Sequence, residues 1–144
     1  MLKNVPKLLS PQLLKVLCEM GHGDEIVIAD GNFPSESMGA NGVVVRADGL
    51  PATALLDAIL TVLPLDAYVE KPVALMAVVP GDPCKPDVWD EYKAAIAKHG
   101  EDPERIEMME RFAFYERAKK AYAVVATGEE RIYANILLKK GVVK

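Results

Sequence analysis

Histidine is scarce in this chain, and the scarcity narrows its chemistry. Two histidines and two cysteines stand among 144 residues. Neither Cys18 nor Cys84 has metal-ligand spacing, and two cysteines make no disulfide framework. Cys18 falls in an amphipathic helix pattern, and Cys84 lies in the loop Gly81-Asp82-Pro83-Cys84-Lys85-Pro86 with no histidine nearby. No metal site is expected. Basic clusters are missing too. Lys119-Lys120 and Lys139-Lys140 are isolated pairs in a chain of net charge -4, which argues against a nucleic-acid surface. No apolar run reaches the ~18 residues of a membrane span, and the N-terminus lacks the apolar core of a signal peptide. A cytoplasmic protein with no membrane association is the expectation. No glycine-rich phosphate loop or dinucleotide fingerprint is present. Without a Gly-x-Ser-x-Gly elbow, acyl transfer has no obvious nucleophile.

What remains is an ordinary globular composition, 51% apolar and 26% charged, at the length of one domain, residues 1–144. Ser10-Pro11 reads as a helix N-cap and first position. Leu13, Leu14, Leu17, Cys18 and Met20 follow at helical spacing, and Gly21 stops them. Glu25 to Ala29 and Val43 to Arg46 read as strands. Pro51 to Leu63 carries the apolar stripe Leu55, Leu56, Ile59, Leu60 and Leu63. Ala74 to Val79 is a continuous apolar run, as in a strand buried on both faces. Pro86 to His99 forms the next helix, closed by Gly100. Ile106 to Met109 suggests a short strand, Arg111 to Lys120 a helix, and Ala121 to Ala126 and Ile136 to Leu138 the last strands. Strands alternate with helices throughout. That order predicts a single α/β domain, an open and mostly parallel sheet flanked by helices. Phe33 to Gly42 reads as an active-site rim or as a long connection.

Three stretches carry residues suited to chemistry. Gly21-His22-Gly23-Asp24-Glu25 runs into the first strand, which ends at Asp30-Gly31-Asn32. Glycines let a backbone approach a ligand, and strand carboxyl ends are where open α/β sheets bind ligands. The segment reads as half of a small-molecule site, or as a turn with a solvated histidine. His99 at a helix C-terminus is explained by the macrodipole; His22 lacks such an explanation and is the better acid–base candidate. In Arg111-Phe112-Ala113-Phe114-Tyr115-Glu116-Arg117, Arg111 and Tyr115 share a helix face. A guanidinium and a phenol there can bind hydroxyl groups; Phe112 and Phe114 packed inward under a surface helix is the plainer reading. Tyr133-Ala134-Asn135 supplies a phenol and an amide, which suit a neutral polyhydroxylated ligand or simply a turn.

Taken together, these stretches resemble the L-fucose mutarotase and D-ribose pyranase family from end to end. The matching segments are Leu13 to Leu17 with Glu19-Met20-Gly21-His22-Gly23-Asp24-Glu25, then Arg46-Ala47-Asp48-Gly49, Arg111 to Ala118, and Asn135 to Val142. The resemblance implies a ring-shaped homo-oligomer, typically a decamer, that interconverts anomers of a free monosaccharide with no metal or cofactor. It implies His22 as the general acid, with Asp30, Arg111, Tyr133 and Asn135 binding the sugar; Tyr115, beside Arg111, is a further candidate contact. Arg111 to Arg117 looks like the fucose branch. Tyr133-Ala134-Asn135 departs from the Tyr-Gly-Asn often seen there and is closer to the pyranase pattern. L-Fucose is the expected substrate, with pyranase-type ribose isomerisation or a non-catalytic sugar-binding module as alternatives.

The chemistry asks little of the chain. Unaided mutarotation takes on the order of an hour, a barrier of roughly 22 kcal/mol. One placed acid–base group contributes about 10²–10⁴-fold, and orientation supplies more.

Overall fold

The computed structural model describes residues 1–144. Its centre is a six-stranded sheet whose four inner strands are mostly apolar. β1 (Glu25–Ala29), β3 (Val73–Met76), β5 (Ala123–Thr127) and β6 (Ile136–Lys139) are buried almost throughout. β2 (Val43–Ala47) and β4 (Ile106–Met109) are more open, and they form the edges. The order is β2-β5-β1-β6-β3-β4. β1 pairs parallel with β5, β5 with β2, and β3 with β4. β6 alone runs the other way, antiparallel to both β1 and β3. Five carboxyl ends and the start of β6 therefore share one end of the sheet.

Alternation sorts each strand's side chains between two cores. Ile26 and Ile28 of β1 face one side; Val27 and Ala29 face the other. The first side is covered by α1 (Pro11–Glu19), α3 (Ala52–Leu60) and α4 (Val88–Lys98), through Leu13, Leu17, Leu55, Ile59, Tyr92 and Ile96. α1 starts where the capping pattern predicts: the Ser10 hydroxyl oxygen accepts the Leu13 N–H at 3.1 Å. The second side is covered by α2 (Ser35–Met38) and α5 (Arg111–Ala118), with Phe33, Phe114 and Ala118 against Val27, Ala74 and Leu137. Glu110 caps α5 by accepting the Phe112 and Ala113 N–H groups.

The α/β reading holds, with three local differences. The third strand ends at Met76, so Val78 and Val79 leave the sheet although the apolar run continues. Phe33 to Gly42 contains α2, a single turn too short to leave a periodic signal. The fifth strand begins at Ala123 and runs on to Thr127, whose hydroxyl donates to the Ala29 carbonyl at 2.7 Å. No helix is long and apolar enough to cross a membrane.

Candidate active site

Five of the six residues singled out from the sequence line one cavity of about 270 Å³ at the carboxyl end of the sheet. They are Asp30, Arg111, Tyr115, Tyr133 and Asn135. They arrive by three strand ends. Asp30 follows β1, Arg111 and Tyr115 sit on the helix after β4, and Tyr133 and Asn135 precede β6.

Asp30 and Asn135 form a reciprocal pair. The Asp30 N–H donates to Asn135 Oδ1 at 2.8 Å, and Asn135 Nδ2 donates to Asp30 Oδ2 at 3.1 Å. Asp30 Oδ1 also accepts the Asn32 N–H at 3.0 Å. Both side chains are buried, so the pair is fixed rather than fluctuating. Burial raises the Asp30 carboxyl above the ordinary aspartate value, and these donors pull partly against that rise. The site therefore presents a desolvated carboxylate with spare acceptor capacity, suited to sugar hydroxyls.

Arg111 stands at the start of α5. Its Nε donates to the Tyr115 hydroxyl at 3.1 Å, and its guanidinium lies 5.4 Å from the Phe112 and Tyr115 ring centroids. Phe33, Met76, Val79 and Ile132 complete the wall with apolar surface. Of the aromatic residues beside Arg111, Phe114 is core and Phe112 is exposed. Tyr115 lines the cavity and packs edge-on to Phe33 at 5.6 Å.

The turn before β6 is strained. Tyr133 adopts a φ of 59°, which a bulky residue rarely takes. α4 holds it there. Trp89 Nε1 donates to the Tyr133 carbonyl at 2.8 Å, and the Tyr92 hydroxyl donates to the Ala134 carbonyl at 2.6 Å.

His22 is elsewhere. It precedes β1 whereas Asp30 follows it, and the strand between them spans roughly 16 Å at ~3.3 Å per residue. That is far beyond hydrogen-bond reach. His22 has its own setting at the amino end of the sheet. Its Nε2 lies 3.1 Å from Asp66 Oδ1, and its ring is 5.4 Å from that of Tyr68. Asp66 Oδ1 also accepts the Tyr68 N–H at 3.0 Å. The Tyr68 N–H first, and His22 after it, hold the Asp66 carboxyl below the usual carboxylate range. A carboxylate at Nε2 places the proton of neutral imidazole there, leaving Nδ1 for a ligand. The Asp66 loop is pinned by Arg105, which donates to the carbonyls of Asp66, Val69 and Glu70.

Asp66 and the wall of Phe33, Met76 and Ile132 were not foreseen. Asp66 carries no motif, and its approach to His22 depends on the bridge that pairs Leu65 with Lys140. No group of three or more His, Cys, Asp or Glu side chains converges in a metal-binding arrangement.

Comparison with known proteins adds independent findings. Residues 3–143 match the family described as RbsD / FucU transport protein. The chain is 51% identical over 142 residues to the L-fucose mutarotase of Actinobacillus pleuropneumoniae, spanning 99% of this chain and 97% of that one. The crystal structure of FucU from Bifidobacterium longum superposes with a TM-score of 0.96 at 57% identity, covering 99% of this chain and all of that one. The fucose mutarotase of Streptococcus pneumoniae in complex with L-fucose superposes with a TM-score of 0.94 at 53% identity, with the same coverage.

Proposed function

The chain belongs to the RbsD / FucU transport protein family, and we propose that it interconverts the α and β anomers of L-fucose. The observation that carries this reading is the cavity itself. A buried Asp30–Asn135 pair, a phenol and a guanidinium face an apolar wall. That combination suits a neutral sugar whose hydroxyls meet polar groups while one apolar substituent meets Phe33, Met76 or Ile132. L-Fucose carries a methyl group in place of a terminal hydroxymethyl.

Mutarotation requires a proton at the ring oxygen and loss of a proton from the anomeric hydroxyl. The C1–O5 bond then breaks, the aldehyde rotates about C1–C2, and the ring closes on the other face. Asp30, Asn135, Tyr133 and Arg111 bind and orient the sugar, and His22 moves the ring-oxygen proton. Asp66 sets its tautomer. His22 cannot reach the cavity of its own chain. We therefore place the working site between two copies, with the His22 end of one subunit at the cavity mouth of the next. Apolar side chains exposed at both ends fit such a contact: Tyr68 beside His22, and Val79, Phe112 and Ile132 around the cavity. Repeating this head-to-tail contact gives a closed ring where its rotation closes, and a decamer is the size we expect. Residues 1–144 then act as one mutarotase-like domain, in the cytoplasm, where the free thiols Cys18 and Cys84 persist.

Saturation-transfer NMR between anomers of L-fucose, D-galactose and D-ribose tests the proposal. Fastest exchange on L-fucose supports it. Fastest exchange on ribose would favour the pyranase reading suggested by Tyr133-Ala134-Asn135, and binding without exchange would reduce the protein to a sugar-binding module.

A further inference from the structure

Tyr133 is held by a loop that contributes none of the residues assigned above, except Val79. After β3, the Asp82 N–H donates to the Val79 carbonyl at 3.0 Å, and Gly81 takes a φ of 92° to close this turn. Asp82 Oδ1 accepts the Cys84 N–H at 2.9 Å. This side-chain turn fixes the direction of the carboxylate. Its other oxygen, Oδ2, accepts the Tyr133 hydroxyl at 2.6 Å. The Val79 N–H donates to the same phenol oxygen at 3.3 Å.

A phenol has one hydrogen to give. Tyr133 gives it to a carboxylate whose direction is set by a backbone turn. The phenol oxygen retains a lone pair beyond the one that meets Val79, and Tyr133 lines the cavity. Resting on the reading that Tyr133 binds the sugar, we infer that Asp82 is a positioning residue for the reaction. It takes the Tyr133 hydrogen and fixes the phenol oxygen as an acceptor, so that the sugar group seated there is a hydroxyl and not the ring oxygen. The electrostatics agree. The contact with Asp82 raises the phenol above its ordinary value, and the contact with Tyr133 lowers the Asp82 carboxyl, so the proton stays on the phenol. The ring oxygen only accepts hydrogen bonds. It must therefore turn away from Tyr133, toward the side from which a proton donor reaches it. Asp82 in this way selects one of the poses that the open cavity would otherwise admit.

A double-mutant cycle on Asp82→Ala and Tyr133→Phe tests this, with anomer exchange measured over a range of L-fucose concentrations. Asp82→Ala is expected to lower kcat about tenfold with KM held within about twofold, because sugar seated with its ring oxygen at Tyr133 occupies the site without reacting. In the Tyr133→Phe background the same substitution should change kcat by less than about twofold, since Asp82 would have no phenol left to act through. Equal effects in both backgrounds would mean that Asp82 serves only the loop, and would overturn the inference. No effect of Asp82→Ala in the wild-type background would overturn it as well. A Tyr133→Phe variant with unchanged kinetics would instead remove Tyr133 from the site, a separate failure that takes this inference with it. Asp82 lies on an exposed loop, so unchanged thermal melting of Asp82→Ala is the control for folding.

Discussion

Removing one oxygen atom from Tyr92 should weaken both the fold and the site. Tyr92 is fully buried on α4, and its hydroxyl donates to the Ala134 carbonyl at 2.6 Å. Burial pushes the phenol far above its ordinary value, so it remains a donor at every working pH. Tyr92→Phe keeps the ring and its packing and leaves the Ala134 carbonyl, itself buried, without its donor. An orphaned buried acceptor costs about 1–3 kcal/mol. Relief of burying the hydroxyl itself offsets part of that, so the lower half of the range is expected. A chain of 144 residues has an unfolding entropy near about 0.3 kcal/mol per kelvin. Tm should fall by about 3–6 °C, measured by calorimetry at one fixed protein concentration because the proposed subunit association would also contribute. Ala134 sits between Tyr133 and Asn135, so the same variant should raise KM for L-fucose several-fold. A Tm change below about 1 °C with unchanged KM would show that the carbonyl finds another donor, and that α4 does not hold the turn.

His22→Gln should remove most anomer exchange, about 10²-fold or more, while thermal melting changes little, because His22 is half exposed and outside both cores; near-wild-type exchange would refute its role. Arg111→Ala should weaken L-fucose binding about tenfold with no measurable loss of stability, as its contacts lie on an exposed helix face; unchanged affinity in calorimetric titration would return it to the surface. Because the folded value of Asp30 is raised, its stabilising increment is full below the ordinary aspartate value and is lost as pH rises through the raised one. Urea unfolding of wild type and Asp30→Asn across that window should therefore show the variant gaining relative stability as pH rises, and the opposite slope would contradict the burial argument.

The sheet was legible because its inner strands are buried on both faces, so Ile26-Val27-Ile28-Ala29 and Ala74 to Val79 stand out as apolar runs, although the second strand itself is Val73–Met76. The reversed sense of β6 was not, since an antiparallel strand with both neighbours buried has the same composition as a parallel one. Asp30, Arg111, Tyr133 and Asn135 were singled out by motif, and the fold brings them together around one cavity through strand ends that are distant in sequence. His22 was singled out by its isolation between glycines, but its partner Asp66 is 44 residues away and rests on tertiary pairing alone. Trp89 and Tyr92 look in sequence like the apolar stripe of a helix, and their polar atoms gain meaning only against the Tyr133–Ala134 carbonyls.

The length of β1 has a genetic consequence. In the head-to-tail assembly proposed above, with His22 at one end of the strand and Asp30 at the other, a subunit defective at one end would still offer an intact opposite end to a neighbour. Two inactive alleles, His22→Ala and Asp30→Ala, should complement each other when their chains are refolded together. Random mixing of equal amounts would restore about one site in four in a head-to-tail ring. Dominance follows the same logic: a chain defective at a single end spoils only the contact it makes on that side.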